Sequence, residues 1–338
     1  MNVKYDKNIS FKPKKQAFKL ENSERILEYL ENFIKNSATK NVNGYGTIGL
    51  AKNTIRTYKS LYRILKSYEN DTNRDLFIHS FDKMTSEDFT RYLKIEKNYS
   101  DNYCGQILKL LKIILRDAEK SGLDVHAYCN YISSFKQKPS ERIIHTLNPD
   151  EIKSIKNLKN ISKNLKYTYN WFLIGLSIGQ RISDVLLMKP ENIRIAPNGL
   201  YVDIIQRKTK TPVTIGVADP MVIDIILNDF PKALSQVMFN KQIKTICRNT
   251  GIDNLVKGFK NNPIRRRKEI VVAPKYEFVT SHIMRRSFAT NYFGKIETPL
   301  LMNITGHTKE STFLTYIGTV QNKDALADLF IQQSNVVC

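Results

Sequence analysis

The chain is poor in the residues that build metal centres and covalent scaffolds. Among 338 residues there are four cysteines, Cys104, Cys129, Cys247 and Cys338. They lie far apart with no C-x-x-C pair, which excludes a cysteine-based zinc cluster and a disulfide framework and leaves them as reduced bystanders. Long apolar runs are also missing. The strongest, Trp171 to Gly179, is too short to span a bilayer. The opening stretch MNVKYDKNISFKPKK has no apolar core of the kind a secretory leader needs, so a cytoplasmic, nucleoid-associated protein with no membrane partner is expected. No internal repeat or low-complexity tract stands out. Acidic residues fall short as well: 32 Asp plus Glu face 53 Lys plus Arg, a net charge of +21. Such an excess calls for a polyanion, and nucleic acid is the leading candidate. The competing explanation is a basic surface that merely keeps the chain soluble.

What is present is a globular composition, 41% hydrophobic and 25% charged, in a chain long enough for two domains with separate cores. Residues 1–20 are Lys-rich without periodicity and read as a flexible basic arm. From there apolar residues recur at helical spacing: Ile26, Leu27, Leu30, Phe33 and Ile34, then Ile55, Tyr58, Leu61, Tyr62 and Leu65, then Phe89, Tyr92 and Leu93 within Thr85–Lys94. The clearest stripe is Ile107, Leu110, Leu111, Ile114, Leu115 and Ala118, stopping at Gly122. This predicts an all-α domain of four helices over residues 21–135. The polar, proline-containing stretch KQKPSERIIHTLN marks a linker at 136–147. A second domain, 148–321, opens on the helix-start signal Asn148-Pro149-Asp150-Glu151. Its one clear strand signal is Gly199–Gln206 followed by Pro212–Val217, a hairpin among helices. The fold class expected is mainly α, with a small antiparallel β-sheet in the second domain.

Four segments of that second domain carry reactive side chains, and each has an ordinary structural reading. In Gly179-Gln180-Arg181-Ile182-Ser183-Asp184, Arg181 and Asp184 stand i, i+3, so a carboxylate could orient a guanidinium on one helix face, or the two could form a plain ion pair. In Gln206-Arg207-Lys208-Thr209, a turn lysine could swing into a groove and donate a proton; Arg207 or Lys210 could serve equally, and so could none of them. His282 and Arg285 set a proton carrier beside a fixed cation, which suits an anionic phosphate, with Arg286 a rival for the same role and a solvated helix face the alternative. Last come Thr305-Gly306-His307 and, nine residues after the histidine, Tyr316. A phenol ionises near pH 10 and becomes a nucleophile only with cations or a base to help. One tyrosine among 17 is by itself a packing residue.

Taken in order, G-x-R-x-S-D, Q-x-K-T on a hairpin, H-x-x-R-x-S-F-A-T, G-H and a tyrosine nine residues on, the series resembles the tyrosine recombinase (phage integrase) family. It covers roughly Leu147 to Val320 by motif, and the four-helix segment is similar to that family's core-binding domain by pattern alone. Six ordered matches make chance a poor explanation. The resemblance implies that 21–135 binds DNA and 148–321 is catalytic. It implies that Arg181 and Arg285 clamp the scissile phosphate, Lys208 protonates the leaving 5′ oxygen, His282 assists proton transfer from the nucleophile, and His307 hydrogen-bonds a non-bridging oxygen. Tyr316 is then the nucleophile, and Asp184 supports the arrangement. Two guanidiniums and two imidazoles can neutralise a pentacovalent phosphorane as metal ions do elsewhere, so neither metal, ATP nor another cofactor is expected.

The implied reaction cuts and rejoins double-stranded DNA at a specific site through a 3′-phosphotyrosine, with four protomers on two sites, a Holliday junction and DNA-bending accessory proteins as further partners. Integration, excision or inversion of a mobile element are the expected roles. The tail, 322–338, holds Leu326, Leu329, Phe330 and Ile331 as a short amphipathic helix, which the resemblance assigns to protomer contacts in trans and which could instead fold back on its own domain. The N-terminal segment is shorter than a separate arm-binding domain. Two alternatives remain open: DNA relaxation like that of a type IB topoisomerase, and a catalytically silent DNA-binding regulator of the same fold.

Overall fold

A computed structural model describes residues 24–40, 48–136, 142–263 and 267–317, with positions 324, 327, 328, 330, 331 and 334 beyond them. The basic arm 1–20 lies outside the described residues, as do part of the linker and Leu326 and Leu329 of the tail. The chain divides into two units, Met1–Gln137 and Lys138–Cys338. No helix among the described residues is long and apolar enough to cross a membrane.

The first unit is helical because its apolar stripes can be buried only against each other. Its helices are α1 (Ile26–Lys35), α2 (Lys52–Thr72), α3 (Lys83–Arg91) and α4 (Asp101–Lys120). The inward residues Ile26, Leu30, Leu61, Leu65, Phe89, Ile107, Leu111, Ile114 and Leu115 are buried in one cluster. Starts are set by caps: Asp82 accepts from the Thr85 N–H at 2.8 Å, ahead of α3, and Ser100 caps α4. Ends are set by backbone: after α4, Gly122 takes a φ of 87°. The helix expected over Thr85–Lys94 changes pitch on the way, widening into a π turn at Tyr92–Glu96.

The second unit is built around α6 (Lys163–Ile178), whose residues from Thr168 to Ile178 are nearly all buried. It is central because its second half, Trp171 to Ile178, is apolar nearly all round, while the buried Thr168 and Asn170 donate to Gln242 and Asp229. Against it pack α8 (Pro220–Asn228), α9 (Gln236–Asn249) and α10 (His282–Tyr292). Helix α5 (Pro149–Lys156) starts where the sequence signals it: the Asn148 side chain accepts from the Glu151 N–H and the Glu151 carboxylate from the Asn148 N–H, both at 2.8 Å. A short helix, α7 (Ile182–Val185), follows α6. Strands β1 (Ile193–Ala196), β2 (Gly199–Ile205) and β3 (Pro212–Val217) form an antiparallel sheet in that order. Leu200, Val202 and Ile204 alternate inward, as do Val213, Ile215 and Val217. The remaining helices are α11 (Thr298–Thr305) and α12 (Glu310–Ile317). Phe288, Leu301, Phe313 and Ile317 form a small separate core between them and α10.

A second hairpin, β4 (Leu255–Asn262) with β5 (Arg267–Pro274), adds strands that the sequence reading did not place. In the tail, the described positions are helical and Phe330 and Ile331 are exposed.

Candidate active site

Six side chains from five places in the chain are delivered to one region of the second unit, and glycines make the delivery possible. Helix α6 ends at Gly179, whose left-handed φ of 63° turns the chain so that Arg181 leads into α7. Helix α11 ends at Gly306, φ 60°, and the His307 N–H closes the turn on the Met302 carbonyl at 2.9 Å. His307 therefore projects from a fixed cap. His282 and Arg285 lie one turn apart at the start of α10, Tyr316 stands in the last turn of α12, and Lys208 sits in the β2–β3 turn.

The Tyr316 ring packs between the two imidazoles. Its centroid is 5.1 Å from that of His282, edge-on at 83°, and 5.0 Å from that of His307. The Arg286 guanidinium lies 5.5 Å from the same ring. The Tyr316 hydroxyl is buried and faces Arg285 without closing a hydrogen bond of full geometry, and burial pushes its pKa up to about 12 against the opposing pull of Arg285, Arg286 and Arg181. In this resting geometry the phenol is neutral.

Arg285 is 1% exposed. One guanidinium nitrogen donates to the Gly179 carbonyl at 3.3 Å, while Nη2 is buried with no closed hydrogen bond and the Tyr316 phenol as its polar neighbour. Burial, then repulsion from Arg181, brings its pKa down to about 10, with Tyr316 and Asp184 pulling the other way. A buried cation is normally paired, so a nitrogen with no closed hydrogen bond beside a second arginine marks a place shaped for an anion.

Both imidazoles are held neutral. His307 falls to about pKa 4 through burial, then Arg285, Arg181, His282 and Lys208. His282 falls to about 4 through burial, then Arg286, Arg285, Arg181 and Lys208. His282 keeps an exposed outer face, so the surrounding cations are the firmer cause of its shift. The Lys208 side chain is exposed in its turn, yet its charge reaches both histidines. Thr305 fixes the tautomer of His307. Its hydroxyl donates to the Leu301 carbonyl at 2.6 Å and lies 2.9 Å from His307 Nδ1. With its proton committed, that oxygen accepts from Nδ1–H and leaves Nε2 bare.

One expectation needs correcting. Arg181 and Asp184 do not share a helix face, because Arg181 precedes α7 in an extended conformation, φ −67°, ψ 143°. The Arg181 guanidinium instead donates to Gln206 Oε1 at 2.9 Å. Asp184, 4% exposed, accepts the Arg207 backbone N–H at 3.2 Å and so holds the β2–β3 turn. Arg207 and Lys210 are exposed in that turn. Sequence reasoning passed over Gln180 and Gln206 as site residues, although both stood within the motifs; each is fully buried here. Arg286 also lines a pocket with His145, Lys244, Lys260, Lys268 and Glu277. Among the described residues no three His, Cys, Asp or Glu side chains gather as metal ligands. Cys104, Cys129 and Cys247 are free and buried.

Residues 25–136 match the phage integrase SAM-like domain family. No curated protein matches the chain in sequence. Among solved structures, the chain is similar to a lambda integrase tetramer bound to a Holliday junction, with a TM-score of 0.61, 16% identity, and 89% of this chain and 83% of that one covered. It is similar to the XerH site-specific recombinase bound to a palindromic difH substrate, TM-score 0.61, 17% identity, covering 90% and 93%. It is also similar to the Tn1549 transposon integrase in complex with a circular intermediate DNA, TM-score 0.59, 17% identity, covering 86% and 94%.

Proposed function

For a chain with the fold of the tyrosine recombinases and a phage integrase SAM-like domain, we propose the function of a site-specific DNA strand transferase. The observation that carries this is the packing of Tyr316 between His282 and His307, beside a buried arginine with a nitrogen that closes no hydrogen bond. A nucleophile that is neutral at rest, amid cations that outnumber the nearby Asp184 carboxylate, suits a reaction that begins when a DNA phosphate enters.

Arg181 and Arg285 hold the non-bridging oxygens of that phosphate, and its negative charge offsets the cation repulsion that adds to burial in keeping the imidazoles neutral. His307, once protonated at Nε2, donates to a non-bridging oxygen. Tyr316 Oη attacks phosphorus as His282 takes up the phenolic proton, forming the 3′-phosphotyrosine bond as the bond to the 5′ oxygen breaks. Lys208 gives its proton to that leaving oxygen. The new ester keeps the energy of the broken phosphodiester, so a 5′ hydroxyl from another strand can attack it and regenerate the tyrosine without ATP. The charge of the transition state is met by fixed protein cations, which assigns no step to a metal ion. Asp184 acts through the turn that carries Lys208.

The partner is double-stranded DNA with a specific site, bound by a homo-tetramer on two sites, and the role is integration, excision or inversion of a mobile element in the cytoplasm. The test is a supercoiled plasmid carrying two copies of the DNA that flanks the gene. Products with exchanged flanks are expected. Relaxation without exchange would indicate topoisomerase-like chemistry, and binding without cleavage would indicate a silent regulator.

A further inference from the structure

At the junction of three motifs lies a buried amide that the six-residue site leaves out. Gln206 is 0% exposed, and all its hydrogen-bonding capacity is used. Its Oε1 accepts from Arg181 Nη1 at 2.9 Å and from the Thr209 hydroxyl at 3.0 Å. Its Nε2 donates to Gln180 Oε1 at 2.9 Å and to the Ile304 carbonyl at 3.4 Å. Gln180, also 0% exposed, donates to the same Ile304 carbonyl at 2.7 Å and to the Ile178 carbonyl at 3.2 Å. The backbone of Gln206 closes the turn, accepting from the Lys210 N–H at 2.7 Å and donating to the Thr211 carbonyl at 2.9 Å. Gly306 leaves room for the amide, because a Cβ there would stand 2.1 Å from Oε1.

This wiring is specific. One carbonyl oxygen orients the guanidinium at the start of α7 and also ties down the turn that presents Lys208. The other end of the same amide is fixed to α11, one turn before His307. A fully satisfied buried network defines one arrangement and resists partial loss. A methylene chain of equal length would fill the space and hold none of these partners.

We propose that Gln206 is a positioning residue that sets Arg181 and the Lys208 turn in register with the His307 cap, so that the phosphate clamp and the proton donor are correctly placed together. This rests on the recombinase reading, and the experiment separates the two. Gln206→Met keeps the volume and removes the acceptor from both arms. Thr209→Val, at an exposed position, releases only the arm to the turn. Covalent adduct formation is measured on a nicked duplex bearing the recognised site and on the same duplex with sulfur at the 5′ bridging position, which needs no proton on its leaving group. Circular dichroism, thermal melting and binding to uncut duplex are followed in parallel.

With folding and binding retained, Gln206→Met should slow adduct formation about 10²-fold, the cost of roughly an ångström of misplacement. Thr209→Val should slow it about tenfold, the worth of one hydrogen bond. The sulfur substrate should return Thr209→Val to the wild-type rate but rescue Gln206→Met only in part, because Arg181 has been released as well. A role confined to packing would leave Gln206→Met at the wild-type rate, and that result, or a Thr209→Val defect that the sulfur substrate does not relieve, overturns the inference. Should Gln206→Met fail to fold, the Thr209→Val result decides alone. A wild type that forms no adduct overturns the recombinase reading and this inference with it.

Discussion

The Tyr316 ring stands edge-on to the His282 ring, with centroids 5.1 Å apart at 83°. That contact joins the C-terminal end of α12 to the N-terminal end of α10 and puts a neutral base beside a neutral phenol. Both groups are neutral in this geometry, so the site rests in an unreactive state, and under the proposed function a DNA phosphate is the anion that relieves it.

The pH dependence follows from this. The folded pKa values of His282 and His307 lie near 4, below the ordinary imidazole value of about 6.5. Between those values the unfolded chain binds protons that the folded chain does not. The contribution to stability is therefore complete above about pH 6.5 and is lost as pH falls toward 4. Urea midpoints should decline across that window, and His307→Gln should flatten the decline. In Tyr316→Phe bound to DNA, the His307 titration followed by NMR should move upward. An unchanged titration would mean that no phosphate reaches His307.

Cleavage and strand transfer should persist in excess EDTA, because the proposed function has Arg181, Arg285, His282 and His307 meet the charge of the phosphorane. Gel quantification of the protein–DNA adduct with and without chelator tests it. A strict magnesium requirement would remove these residues from the role proposed for them.

Lys208→Ala should slow cleavage by about 10² to 10⁴, the usual worth of a positioned general acid. A substrate with a 5′ bridging sulfur should recover most of that loss. Absence of recovery would move the role to Arg207 or Lys210 in the same turn.

Gly306→Ala should be costly for the fold as well as for activity. The left-handed backbone costs about 1–2 kcal/mol for a residue with a Cβ, and the added methyl would meet Gln206 Oε1 at 2.1 Å. Gly122→Ala is the control, because its φ of 87° is also positive but nothing lies within 4 Å of its Cβ. Urea unfolding should show a clearly larger loss for Gly306→Ala, and equal losses would mean that the Gln206 cradle carries no strain.

The helices of the first unit were legible in the sequence because each buries a stripe of regular period, from Ile26 on α1 to Ala118 on α4. The β4–β5 hairpin was not, because Lys257, Lys260, Asn261, Asn262 and Lys268 break its alternation and the apolar Ile270 and Val272 remain exposed. The motif order placed Arg181, His282, Arg285, His307 and Tyr316 in one series, and they are neighbours in space. The Arg181–Asp184 pairing failed because i, i+3 arithmetic assumes a helix, and α6 had already stopped at Gly179. The Gln180–Gln206 pair was illegible for a different reason: its partners are 26 residues apart in sequence and on separate elements, and a buried polar contact of that kind leaves no period to read.

The most direct measurement concerns Tyr316 itself. A nicked duplex whose short 5′-hydroxyl fragment diffuses away after cleavage should trap the wild-type protein as an adduct that survives SDS and disappears on protease digestion. Peptide mapping should place the phosphate on Tyr316. Tyr316→Phe should bind the same duplex almost as well, since the ring still packs between His282 and His307, and should form no adduct. Tyr292, at the end of α10 and 40% exposed, is the nearby phenol to exclude. An adduct that persists in Tyr316→Phe, or that maps to Tyr292 or any other residue, would contradict the assignment of Tyr316 as the nucleophile.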